Sequence, residues 1–120
     1  LSTAQEQAMT DRSDDTETFA FALRLKPGAE EEYRRRHDEI WPELVALQRA
    51  VGILRYEIHL HAPTGLLFAH IERRRDHRMD EFPDHEVWRR WQSHMSGLIE
   101  QRDGIPVRDS LTRVFRMPDT

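Results

Sequence analysis

Ile53-Leu-Arg-Tyr-Glu-Ile-His-Leu-His-Ala-Pro-Thr-Gly-Leu-Leu-Phe-Ala-His-Ile-Glu72 is the stretch that decides the fold. Residues 53–62 alternate. Leu54, Tyr56, Ile58 and Leu60 point one way, and Arg55, Glu57, His59 and His61 the other. A period of two is that of a half-buried strand. Pro63-Thr64-Gly65 is a turn, and residues 66–72 form a second strand with apolar groups on both faces. Two such runs joined by so short a turn make an antiparallel hairpin.

On the N-terminal side of the hairpin, residues 29–51 read as helix. Tyr33, His37, Ile40, Trp41, Leu44 and Leu47 or Val51 recur at three- and four-residue spacing and form one buried stripe. Glu30, Glu31 and Glu32 precede Arg34, Arg35 and Arg36 by four residues, the favourable order for helical ion pairs. Pro42 removes a donor and disfavours helical geometry at Trp41, so a kink or break is expected there. Gly52 ends the helix. Further upstream, residues 18–25 alternate, with Phe19, Phe21, Leu23 and Leu25 on one face, which predicts the first strand. Residues 1–17 are polar and read as a tail.

On the C-terminal side, residues 73–83 are a charged connection. Asp84 is the expected N-cap of a second helix, whose apolar stripe is Val87, Trp88, Trp91, Met95, Leu98 and Ile99. Residues 101–109 read as a loop and 110–116 as a short last strand. The predicted order is β-α-β-β-α-β over a single domain, 18–120. That is the ferredoxin-like α+β pattern, with two helices on one face of a four-stranded antiparallel sheet. Ala20, Ala22, Ile53, Leu66 and Phe68 are expected on the other face. They are too apolar to leave wet, which predicts a homodimer packed sheet to sheet.

A chain of 120 residues is long enough for one core. It has 0 Cys, which excludes disulfides, thiolate metal sites and cysteine nucleophiles. The net charge of −4 is a poor electrostatic basis for binding nucleic acid or an anionic membrane. No apolar run is long enough to cross a bilayer. The N-terminus lacks the pattern of a signal peptide, so a cytoplasmic location is expected. The basic runs Arg34–Arg36 and Arg73–Arg75 are read as solvated, salt-bridged surface. The third strand lacks the glycine- and aromatic-rich signature of an RNA-binding sheet. Glu57, His59 and His61 share a strand face, but no third ligand is fixed by spacing, so no metal site is expected. His70, His77, His85 and His94 are scattered and read as surface or interface residues.

Tyr33 and His37 stand four residues apart on the core-facing side of the first helix, and polar groups there need internal partners. By themselves they are more often structural than catalytic. Tyr56 tips the balance, because it projects from the strand face that the helices cover. Trp91 lies on the inner stripe of the second helix. Two Tyr, one His and one Trp therefore converge between sheet and helices. Aromatic rings with polar tips suit a sugar, offering flat faces to C–H groups and hydroxyls to ring oxygens. A non-catalytic ligand-binding domain and a cofactor-free monooxygenase are the competing classes.

The block Tyr33-Arg-Arg-Arg-His37-Asp-Glu-Ile-Trp-Pro-Glu-Leu44 closely resembles the segment that marks the L-rhamnose mutarotase family. Tyr56-Glu-Ile-His-Leu60, Leu66-Leu-Phe-Ala69, Arg90-Trp91 before Met95, and Val114-Phe-Arg-Met-Pro118 extend the resemblance. It implies a homodimeric ferredoxin-like fold, a dimeric α+β barrel, that interconverts the α and β anomers of L-rhamnose without a cofactor. It places the catalytic proton donor at His37 and substrate contacts at Tyr33, Tyr56 and Trp91. It places a further substrate contact at Gln92, where the family usually carries a second Trp. The segment 101–107 also departs from the family's Asn-rich loop. Both departures bear on which sugar is taken, with L-fucose among the alternatives, more than on the type of reaction.

Overall fold

The computed structural model describes residues 15–120. In chain order the elements are β1 (Thr16–Arg24), α1 (Glu30–Asp38), α2 (Pro42–Ala50), β2 (Ile53–His61) and β3 (Leu66–Arg74). A 3₁₀ turn (Met79–Asp84), α3 (Glu86–Ser96), β4 (Gln101–Arg102), β5 (Ile105–Pro106) and β6 (Asp109–Leu111) follow. β2, β3, β1 and β6 form one antiparallel sheet in that order. The central hairpin, the antiparallel sheet and the ferredoxin-like order are those expected from the alternating runs.

Register decides what faces the helices. Phe19, Phe21 and Leu23 of β1 lie opposite Ile71, Ala69 and Leu67 of β3, and Tyr56, Ile58 and Leu60 of β2 lie opposite the same three residues. These nine side chains share one face. α1, α2 and α3 close over it with Tyr33, Leu44, Trp91 and Met95, all buried. The other face carries Ala20, Ala22, Phe68 and His70, with Leu111 beside Ala20. Phe68 is 37% and Leu111 41% exposed, so that face is apolar and open to solvent in the single chain.

The break expected at Trp41 is present, and five other expectations need correction. Residues 29–51 form two helices divided at that break. Trp41 takes an extended conformation (φ −69°, ψ 129°), as a residue before proline prefers, and Pro42 opens α2 at its first turn. The Trp41 carbonyl accepts the Leu44 and Val45 amides at 3.0 and 3.1 Å, so the break leaves no orphaned carbonyl there. Asp84 does not cap the second helix. Pro83 ends the charged connection in a 3₁₀ turn, and His85 takes the cap position with no side-chain hydrogen bond. Ile53 lies in the core rather than on the open face, because the register shifts between Ile53 and Arg55 and turns Leu54 outward. The segment 101–109 contains a small hairpin whose turn, Asp103-Gly104, has positive φ at both residues (55° and 79°). The last strand is shorter than expected, and nothing beyond Leu111 pairs with the sheet. The expected tail ends earlier as well. Thr16 and Glu17 belong to β1, and Glu17 faces Arg73 across the sheet in a 2.9 Å ion pair. The rest of that tail, up to residue 14, lies outside the described residues.

Gly52 shows how tightly α2 is joined to β2. Its φ is +110°, and a Cβ there would meet the His77 Cα and Cβ at 3.1 Å. Its carbonyl accepts the Arg74 amide at 2.9 Å. Only glycine satisfies both conditions without strain.

Candidate active site

Between the inner face of the sheet and the three helices lies a cleft of about 1150 Å³. Tyr33, His37, Tyr56, Trp91 and Gln92 all line it. The four residues gathered from periodicity, and the fifth taken from the resemblance, therefore meet in one place.

His37 occupies the last turn of α1. Its Nδ1 lies 3.1 Å from the Tyr33 carbonyl. A carbonyl can only accept, so Nδ1 carries the proton in that bond and Nε2 holds a lone pair. The ring is fixed from two sides. The Tyr33 ring lies 4.4 Å away between centroids, and the Trp91 ring 5.4 Å away, edge-on at 89°. Burial among these rings lowers the His37 pKa below the ordinary value of about 6.5, while the Tyr33 carbonyl and Asp38 oppose the shift. The imidazole is therefore neutral at neutral pH, which suits a group that must first accept a proton.

Both tyrosines are phenols at any working pH. Burial raises the Tyr33 pKa, and the neighbouring Tyr56 hydroxyl adds to the shift. The protein around the Tyr56 hydroxyl raises its pKa too, although the residue keeps 38% exposure through the cleft mouth, and the positive charge of Arg108 opposes that shift. Trp91 is buried and sits in an aromatic cluster. Trp41 meets it edge-on at 5.2 Å, and His94 lies 5.6 Å away. Arg90 lies over Trp41 at 5.0 Å. Trp91 thus packs against His37 and, buried as it is, presents little surface to a ligand.

Trp41, read with Tyr33 and His37 as one helical stack, and His94, read as a surface residue, pack against Trp91 rather than line the cleft, whereas Arg108 lines it and was not singled out. Trp41 shares the i, i+4 stripe of His37, and His94 follows Trp91 by three residues, so the helical period carried both signals. Arg108 carried none, because its place depends on how β6 docks.

Glu57 and His59 stand 3.6 Å apart at the surface, and the His61 Nδ1 bonds the Thr64 hydroxyl at 2.7 Å. Among the described residues no three metal-ligating side chains gather. The basic runs meet acids: Arg35 and Arg36 pair with Glu32, and Arg74 with Asp76. Among the described residues, no helix is long and apolar enough to cross a membrane.

Fold and cleft together define a ferredoxin-like α+β protein with a histidine-centred aromatic pocket between sheet and helices. Residues 18–117 match the family described as L-rhamnose mutarotase. An L-rhamnose mutarotase of Jannaschia sp. (strain CCS1) is 50% identical over 103 residues, which cover 85% of this chain and 99% of that protein. One from Rhizobium leguminosarum bv. trifolii is 46% identical, covering 85% and 97%. The crystal structure of an L-rhamnose mutarotase from Formosa agariphila superposes with a TM-score of 0.74 at 30% identity, covering 85% of this chain and 99% of that one. The chain belongs to the L-rhamnose mutarotase family.

Proposed function

We propose that this protein interconverts the α and β anomers of L-rhamnose, with His37 carrying the proton. The observation behind this reading is the anchored imidazole. Nδ1 is held by a backbone carbonyl, and the ring is neutral and clamped between Tyr33 and Trp91 in a cleft lined by phenols and an amide. Mutarotation requires the anomeric hydroxyl to lose a proton and the ring oxygen to gain one. Both oxygens are bonded to the same carbon, so one imidazole can serve both. Nε2 takes the anomeric proton, the bond from C1 to the ring oxygen breaks, C1 becomes a carbonyl, and Nε2 returns the proton to the former ring oxygen. Rotation about C1–C2 and the reverse steps close the ring on the other carbonyl face. Nothing is oxidised, reduced or transferred to the protein, so the reaction needs no cofactor. General acid–base assistance of this kind is worth about 10² to 10⁴ in rate.

Tyr33, Tyr56 and Gln92 hold sugar hydroxyls in this scheme, and Trp91 walls the site. The working unit is a homodimer, a dimeric α+β barrel joined through the open sheet face, in the cytoplasm. Saturation-transfer NMR on L-rhamnose, with L-fucose run beside it, tests the assignment. Faster exchange with rhamnose supports it. Faster exchange with fucose alone means that Gln92 and the segment 101–107 have changed the preferred sugar. No acceleration of either sugar contradicts it.

A further inference from the structure

The floor of the cleft holds two arginines that the mechanism does not use. Phe19 and Phe21 stack on each other at 5.7 Å. The Arg73 guanidinium lies over Phe19 at 4.1 Å, and that of Arg108 over Phe21 at 4.3 Å. The two differ in one respect. Arg73 is paired with Glu17 at 2.9 Å, so its charge is already matched. Among the described residues Arg108 makes no ion pair, and it lines the cleft.

The placement of Arg108 follows from register. Ser110 of β6 lies opposite Phe21 of β1, and Arg108, two residues earlier, shares its face. β6 and β2 are the two edges of the sheet, with β1 and β3 between them. Arg108 therefore reaches inward from one edge and Tyr56 from the other, across a floor whose middle holds the small Ala69. Its charge acts on the Tyr56 hydroxyl, which places the two groups at the same end of the cleft. A guanidinium stacked on a ring still has its edge N–H donors free. Arg108 is solvent-exposed in the single chain, so these donors face water at the cleft and are open to exchange for a ligand's acceptors. A polyhydroxylated ligand supplies them.

We infer that Arg108 is a substrate-contacting residue that donates to one hydroxyl of the bound sugar and so sets how the ring lies across the sheet. The inference rests on the sugar reading of the cleft given above. It assigns Arg108 to binding rather than to proton transfer. Loss of the guanidinium should therefore raise KM and leave kcat nearly unchanged.

The test uses the full-length protein and two variants, Arg108→Met and Arg108→Lys. The concentration dependence of L-rhamnose anomer exchange gives KM and kcat, and sedimentation checks that assembly is unchanged. Arg108→Met should raise KM about tenfold, the scale of one charge-assisted hydrogen bond. Its kcat should stay within about twofold to threefold. Arg108→Lys should recover part of the loss. The 2-, 3- and 4-deoxy analogues of L-rhamnose then identify the partner. For one of them, the wild type should bind as weakly as Arg108→Met, because the missing hydroxyl and the missing guanidinium are two halves of one contact. Equal penalties for all three analogues in both proteins would overturn the inference. So would an unchanged KM, or a loss of activity that tracks dissociation of the assembly. A failure of the sugar reading itself shows elsewhere, as no acceleration by the wild type.

Discussion

At the scale of the residue, the proposed chemistry depends on a bond that leaves no trace in residue identity. The His37 Nδ1 meets the Tyr33 main-chain carbonyl, so it is the helix rather than any side chain that selects the reactive tautomer. His37 is held below its usual pKa, and in the proposed scheme its neutral form does the work. Acceleration should therefore be flat through neutral pH and fall on acidification, with a midpoint below about 6.5. The stability consequence has the same sign. A histidine whose folded pKa is lowered contributes stability that is complete above its unfolded pKa and is lost as pH falls through the folded value. Urea titrations near pH 7 and near pH 5 should show the wild type losing more stability on acidification than His37→Asn. An acid midpoint well above 6.5 would mean that the imidazole is not desolvated as the structure has it. Tyr33, His37, Tyr56 and Trp91 were legible because helical and strand periods place side chains on faces. The tautomer and the edge-on setting of Trp91 against its neighbours were not, because they depend on backbone contacts and on Trp41 and His94 packing round the ring.

At the scale of the element, proline and glycine explain most of what the sequence did and did not reveal. Pro42 announced the division between α1 and α2, and the extended Trp41 before it matches the steric reason. The Asp103-Gly104 turn was there to be read as a hairpin signal, but strands of two residues carry no alternation to support it. Asp84 failed as a cap because the Pro83 beside it belongs to the 3₁₀ turn, a tertiary feature built round the buried Phe82. The bulge at Leu54 could not be read at all, since a shift of register is decided between strands. Two substitutions test this level. Gly52→Ala meets both a left-handed backbone and the His77 main chain, and should cost about 1–3 kcal/mol by chemical denaturation. Leu44→Ala empties a fully buried position of α2 and should cost about 2–5 kcal/mol. If Gly52→Ala is neutral, the tight join between α2 and β2 is wrong.

At the scale of the whole molecule, the sheet has two apolar faces and the helices cover one. Ala20, Ala22 and Phe68 were expected on the open side and lie there, with Leu111 added by β6. Val114 and Phe115, which follow the last strand, are 92% and 74% exposed. Packing two sheets face to face would cover the open face, and the proposed homodimer follows from that need. Sedimentation should find a species of twice 14.3 kDa for the wild type, and Phe68→Glu should shift it towards the single chain. A monomeric wild type would remove the dimer while leaving the cleft intact. The cleft lies on the opposite face of the sheet, so the dimer contact and the chemistry are separable by mutation.

Exchange between the α and β anomers of L-rhamnose, followed by saturation-transfer NMR near pH 7 with wild type and with His37→Asn, tests the central claim most directly. The wild type should speed exchange well beyond buffer. His37→Asn, still folded and with the same assembly, should lose about 10²-fold or more of that added rate. A His37→Asn protein that exchanges the anomers as fast as the wild type would contradict the assignment of the proton to His37. A wild type no faster than buffer would contradict the mutarotase function itself.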